Sequence, residues 1–124
     1  MKKKPKDILG EKGEQMAVEY LEKLSYEIIS RNWKYHPYEI DIIAKHNDFY
    51  VIVEVKTRAS DDFGPPQDFV SRKKQSHLVK ATQLYADLNQ IENEFRFDVV
   101  AVIINDQKSE LLHIPEAFLP LIGM

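Results

Sequence analysis

The chain has 124 residues, 44% apolar and 30% charged, the proportions of a soluble globular protein rather than a disordered or fibrous one. It has no cysteine, which excludes disulfides and thiolate metal sites and fits a reducing cytoplasm. Its net charge of −3 and pI near 5.8 exclude a protein that coats nucleic acid by bulk positive charge. Contact with DNA then needs a local basic patch, or an acidic site that brings its own cations.

The length predicts one domain over residues 1–124, in which roughly two thirds of the unfolded chain's surface can be buried. No run approaches the roughly 20 apolar residues of a membrane span. The basic start, "MKKKPKD", is not followed by a signal-type apolar segment and reads as a solvated tail over about 1–6, or as a weak phosphate-binding arm.

In chain order, a first helix is predicted from about Asp7 to Leu24, with Gly10, Glu14, Ala17, Leu21 and Leu24 on one stripe. Gly10 and Gly13 cost about 1 kcal/mol each against Ala inside a helix, which makes sense if the helix packs very close to something. Three strands follow, in "YEIISRNWKY", "EIDIIA" and "FYVIVEVKT". "RASDDFGPPQD" is a loop broken by Gly64, Pro65 and Pro66. Ser71 is the N-cap of a second helix to about Leu88, with Lys74, Leu78, Ala81, Tyr85 and Leu88 on one face. "FRFDVVAVII" is apolar enough for a central strand, parallel to its predecessor through a right-handed crossover. "SELLHI" is a last strand, ended by Pro115. The order α-β-β-β-α-β-β predicts an α/β fold, a mixed sheet flanked by helices.

The second and third strands carry charges where a core should be. Val51, Val53 and Val55 share one face, and Ile52, Glu54 and Lys56 the other; Glu39, Asp41 and Ile43 likewise share a face. A turn centred on Asn47-Asp48 pairs His46 with Phe49, and so sets Asp41 opposite Glu54 and Glu39 opposite Lys56. Carboxylates that close repel by up to a few kcal/mol, and a divalent cation turns the repulsion into attraction. Lys56 can then steady developing negative charge or position a water. Glu14, on the inward stripe of the first helix, is either a further carboxylate or a surface acid favoured by the helix dipole. The constellation Glu14, Asp41, Glu54 and Lys56 around one or two Mg²⁺ is chemistry for in-line attack on a phosphodiester.

"EID" followed by "VIVEVKTR" resembles the Asp…Glu-x-Lys signature of the PD-(D/E)XK nuclease superfamily. With "GEKGEQMAVEYLEKLSYEIISRNW", "EIDIIA", "VEVKTR" and "RFDVVAV", the chain more closely resembles the uncharacterised bacterial YraN-type family, itself similar to Holliday-junction resolvases. The resemblance covers about Gly10 to Ile104 and implies a restriction-endonuclease-like αβββαβ core. Carried over, Asp41 and Glu54 match the metal-binding acids, joined by the Val55 carbonyl, and Lys56 the catalytic lysine. Glu14 matches an extra acid on the first helix, and Gln75 or the Lys73-Lys74 pair a polar position on the second. The chain departs in having no proline immediately before Asp41, and Tyr38 where similar proteins often have Gly.

The implied function is a Mg²⁺-dependent (or Mn²⁺-dependent) endonuclease acting on DNA, branched or damaged, cytoplasmic, with a homodimer as one arrangement. The alternative is a non-catalytic nucleic-acid-binding or interaction module that retains the nuclease fold. Arg58, Arg72, Lys73, Lys74, Gln75 and Lys80 are the candidate phosphate-facing residues, or else a solvated helix face. Trp33, Tyr35 and Tyr38 are core aromatics or base-stacking ones. Asp98 is a strand-end acid or a support to the site, and the four histidines show no paired zinc-ligand spacing.

Overall fold

A computed structural model describes residues 4–60, 64 and 68–120. The start of the basic tail, most of the Gly-Pro loop and the last four residues lie outside the described residues. The elements are α1 (Pro5–Lys23), β1 (Glu27–Tyr35), β2 (Tyr38–His46), β3 (Phe49–Arg58), α2 (Arg72–Leu88), β4 (Phe95–Ile104) and β5 (Ser109–Phe118). The strands form one sheet in the order β1-β2-β3-β4-β5. Only β3 and β4 run parallel, joined through α2; the other neighbours are antiparallel. This is an α/β architecture consistent with a restriction-endonuclease-like αβββαβ core extended by β5. Among the described residues no helix is long and apolar enough to cross a membrane.

The helices cover opposite faces of the sheet. On one, Ala17, Val18 and Leu21 of α1 pack on Ile42, Ala44, Val51, Val53, Val100 and Val102. On the other, Leu78, Ala81 and Tyr85 of α2 pack on Ile43, Ile52, Phe97, Val99 and Ala101. β3 and β4 are therefore buried on both sides, which is why they read as unbroken apolar runs. Trp33 closes the α2 face with its ring edge-on to Tyr85 at 5.4 Å, so it is a packing aromatic.

The helix boundaries follow from local chemistry. α1 starts at Pro5, ahead of the expected Asp7, because proline at the first helical position has its φ pre-set and its missing N–H costs nothing there. Ser71 caps α2 as expected, its Oγ accepting from the Lys74 amide at 3.1 Å. The outer ends of both predicted stripes fail. Leu24 and Leu88 are about half exposed, each at the last turn of its helix where the sheet no longer lies beneath it.

Gly13 is where α1 approaches the sheet most closely. A Cβ there would overlap Thr57 Oγ1 and lie 2.8 Å from Thr57 Cγ2 and 2.9 Å from its Cβ, whereas Gly10 has nothing within 4 Å of the same point. Close approach thus accounts for Gly13 and not for Gly10. Gly13→Ala should lower stability by about 1–3 kcal/mol through overpacking. Gly10→Ala should raise it by up to about 1 kcal/mol through helix propensity. Urea unfolding of the two variants checks the pair; equal effects would contradict the close contact.

β5 does not end at Pro115. Its ladder with β4 shifts register between Phe97↔Phe118 and Val99↔Ile114, so three β5 residues bulge opposite Asp98. A bulge on an edge strand tolerates proline, which has no N–H to lend to the ladder. Glu116, at φ 50°, turns its amide onto Asp98 Oδ1 at 3.0 Å.

Candidate active site

The β2–β3 hairpin has the register its sequence predicts. Asn47 sits at φ 56° in the turn, and the ladder runs from His46↔Phe49 to Ile42↔Val53. There it stops. In place of an Asp41–Glu54 pair in the ladder, the Asp41 carboxylate takes the place of a strand carbonyl: its Oδ2 accepts from the Val55 amide at 2.9 Å.

The cause lies on the other flank. In β1, Asn32 falls between the pairs Arg31↔Ile42 and Trp33↔Ile40 and adopts φ 52°. A left-handed residue inside a strand breaks its face alternation. Ile42 accordingly packs on the α1 face, but Ile40, two residues away, packs on the α2 face. Asp41 sits at this switch. It lines a polar cleft on the α1 side with Glu14, Asn32, Lys34, Val55 and Thr57.

Glu54 keeps its expected place with Ile52, on the face toward α2. Its side chain is 14% exposed, and Lys74 Nζ stands 3.7 Å from its Oε2. Burial, then the charge of Asp41 and a hydrogen bond with it, push the Glu54 carboxyl up to about 8, against the opposing pull of Lys74 and Lys56. The two acids meet where β2 and β3 part, and Glu54 is the one held toward its protonated form at neutral pH. Lys56 is half-buried, and burial, then the charge of Arg58, lower its pKa while Glu54 opposes the change.

Glu14 is placed differently. It faces the same cleft as Asp41, but its Oε1 accepts from Arg31 Nε at 3.2 Å and from Asn32 Nδ2 at 3.0 Å. Among the described residues no group of three or more His, Asp or Glu side chains is gathered closely enough to hold a metal. The expected ring of Glu14, Asp41 and Glu54 is therefore an acid pair with a separately partnered third acid. The pair still fits a hard divalent cation. Such ions are commonly held by one or two carboxylates plus waters and phosphates, and a cation would replace the retained proton. Asp41 and Glu54 would hold it, with the Val55 backbone beside them.

Of the basic candidates, Lys74 reaches the acids; Arg72 and Lys73 are exposed. Arg58 is exposed too, its Nη1 donating to the Thr57 carbonyl at 3.0 Å. Gln75 donates to the Val70 carbonyl at 3.0 Å and so fastens the start of α2, which makes Lys74 the α2 residue at the site.

Sequence reasoning missed a second polar centre. Asp98 is neither at a strand end nor at the site, but 1% exposed inside the α1-side core. Arg96 Nε and Nη2 each donate to it at 2.9 Å, and His113 Nε2 lies 2.7 Å from its Oδ2. His113 Nδ1 lies 3.3 Å from the Tyr20 hydroxyl, and Arg96 also donates to the Tyr26 hydroxyl, whose ring stacks on His46 at 4.1 Å. Burial alone would raise the Asp98 pKa; the hydrogen bonds from His113, Arg96 and the Glu116 amide outweigh it and hold the carboxyl below its usual range. The available signal was Arg96 and Asp98 two apart on one face of an otherwise apolar strand. Tyr20, His113 and the β5 bulge could not be read from spacing.

A family model described as "Uncharacterised protein family UPF0102" matches residues 13–102. The chain belongs to the UPF0102 family. This is the YraN-type family that its sequence resembles. A UPF0102 protein of Christiangramia forsetii is 46% identical over 110 residues, covering 89% of this chain and 92% of the relative. One of Bacteroides fragilis is 44% identical over 114 residues, covering 92% and 94%. One of Thermodesulfovibrio yellowstonii is 46% identical over 110 residues, covering 89% and 95%. The UPF0102 match spans Glu14, Asp41, Glu54, Lys56 and the basic half of α2, and stops short of His113.

Proposed function

We propose that this UPF0102 protein is a divalent-cation-dependent endonuclease that hydrolyses DNA phosphodiesters, with branched or damaged DNA as its substrate. The observation that carries the reading is the Asp41–Glu54 pair. Two acids are held together in a half-buried place where β2 and β3 part, with Lys56 and Lys74 beside them. When both are ionised such a pair repels, and a divalent cation between them would turn that repulsion into attraction.

A bound Mg²⁺ or Mn²⁺ would supply Lewis-acid chemistry at a phosphoryl oxygen. Asp41 and Glu54 hold the ion. Asp41 is anchored by the Val55 amide, so its carboxylate is already oriented. Lys56 faces the same side as Glu54 and carries a lowered pKa, which suits it to position a water and to neutralise charge as it develops. Lys74 offsets the Glu54 charge and presents the basic start of α2 to the DNA backbone.

The second reading, a binding module that keeps the fold, is favoured by one observation. Glu14 is already engaged by Arg31 and Asn32 rather than joined to the acid pair. A cleavage panel separates the two: linear, nicked, flapped and four-way-junction DNA with Mg²⁺ or Mn²⁺, against Glu54→Gln purified identically. Metal-dependent cutting that the variant lacks is expected. Binding without cutting of any substrate would establish the module instead.

A further inference from the structure

Beside the acid pair, on the α2 face, lies a cleft of about 590 Å³, within the roughly 300–1,000 Å³ range of ligand sites. One wall is the first half of α2, where Lys73, His77 and Lys80 recur at i, i+4 and i+7 and so share one side of the helix. Tyr38, from the start of β2, forms the other, its ring 5.0 Å from the His77 ring. Lys74 lines the cleft as well and stands 3.7 Å from Glu54, so one wall of the cleft reaches that acid. Among the described residues no Asp or Glu lines it, although the chain as a whole carries net charge −3.

Three lysines lining one concavity select a polyanion. The half-buried Tyr38 and His77 rings, tilted 42° to each other, add what a smooth duplex backbone does not need: aromatic faces for a base. A paired base presents only its edges to a protein, and a face becomes available only when the base is unstacked. We infer that this cleft binds an unpaired nucleotide of the DNA strand, base against Tyr38 and His77, flanking phosphates on Lys73 and Lys80. The inference rests on the nuclease reading and deepens it: the unpaired nucleotide sets the adjoining phosphate beside Asp41 and Glu54, which makes strand discontinuities and junctions the preferred targets.

The test is binding rather than cutting. Fluorescence anisotropy in EDTA compares a blunt duplex, the same duplex with a short single-stranded overhang, and that overhang made abasic. The overhang should bind about tenfold more tightly than the blunt end, the size of one stacked base, and the abasic overhang should lose most of that gain. Tyr38→Leu, which keeps an apolar group on the core, should abolish the preference. His77→Ala, on the helix surface, makes the same test if Tyr38→Leu does not fold. Lys80→Gln should weaken both and lower the salt slope by about one. Equal affinity for blunt and overhanging DNA, or an overhang preference untouched by Tyr38→Leu and His77→Ala, would overturn the inference. The two readings fail separately: overhang preference without metal-dependent cutting sinks only the nuclease, and cutting without overhang preference sinks only the nucleotide cleft.

Discussion

Asp98→Ala should cost about 3–5 kcal/mol of folding stability, a large share of the roughly 5–15 kcal/mol that typically holds a domain together. Asp98 is the shared acceptor for Arg96, His113 and the Glu116 amide, all held in the core between α1 and the sheet. Deleting it leaves the Arg96 guanidinium without its acid and an amide without an acceptor. Asp98→Asn keeps the shape and one acceptor, and should fall between wild type and Ala. The acid limb carries a second signature. The Asp98 pKa is lowered in the folded chain, so its stabilisation is present above the unfolded value near about 3.9 and is lost as pH falls through the folded value. Asp98→Asn should therefore flatten the loss of stability in acid. Urea unfolding between pH 3 and pH 7 measures both, and a cost below about 1 kcal/mol for Ala would show the network to be dispensable.

Glu54→Gln should lower DNA cutting by roughly 100-fold or more while leaving the fold intact. The amide matches the protonated carboxyl in shape but cannot bind a cation as an anion does. Its effect on stability has the opposite sign to that of Asp98→Ala. The Glu54 pKa is raised from its ordinary 4.5 to about 8, so its contribution is fully present below about 4.5 and is lost as pH rises through about 8. In EDTA, wild type should lose about 2–3 kcal/mol between pH 6 and pH 9 relative to Glu54→Gln. The variant should match wild type near pH 4 and exceed it by a margin that widens from pH 6 to pH 9. Parallel pH profiles, or a loss of several kcal/mol at pH 6, would make Glu54 a structural partner.

How much was legible in the sequence depends on what each feature needed. The hairpin register was legible because alternation and a turn-forming Asn47 act over a few residues, and the structure pairs His46 with Phe49 as that logic requires. The parallel crossover from β3 to β4 was legible because a helix intervenes between two strongly apolar strands. The turning of Asp41 into the cleft was not. It depends on Asn32, nine residues earlier, adopting a left-handed conformation that shifts the alternation of β2 from the neighbouring strand. The stripe on α1 correctly turned Glu14 toward the site, but its capture by Arg31 and Asn32 belongs to the packing of α1 on β1. The Asp98 centre is assembled from α1, Tyr26 just before β1, β4 and β5, and only its Arg96–Asp98 half is local. The continuation of β5 past Pro115 follows from that centre too, since the bulge wraps the Asp98 carboxylate.

The central claim is that Asp41 and Glu54 together form a divalent-cation centre. Its most direct test is the melting temperature of the protein titrated with Mn²⁺, beside an Asp41→Ala/Glu54→Ala double variant. Binding to the folded chain at 100 times Kd should add about 2.7 kcal/mol, a rise of several degrees that the double variant lacks. No rise in wild type, or an equal rise in both proteins, would contradict the claim.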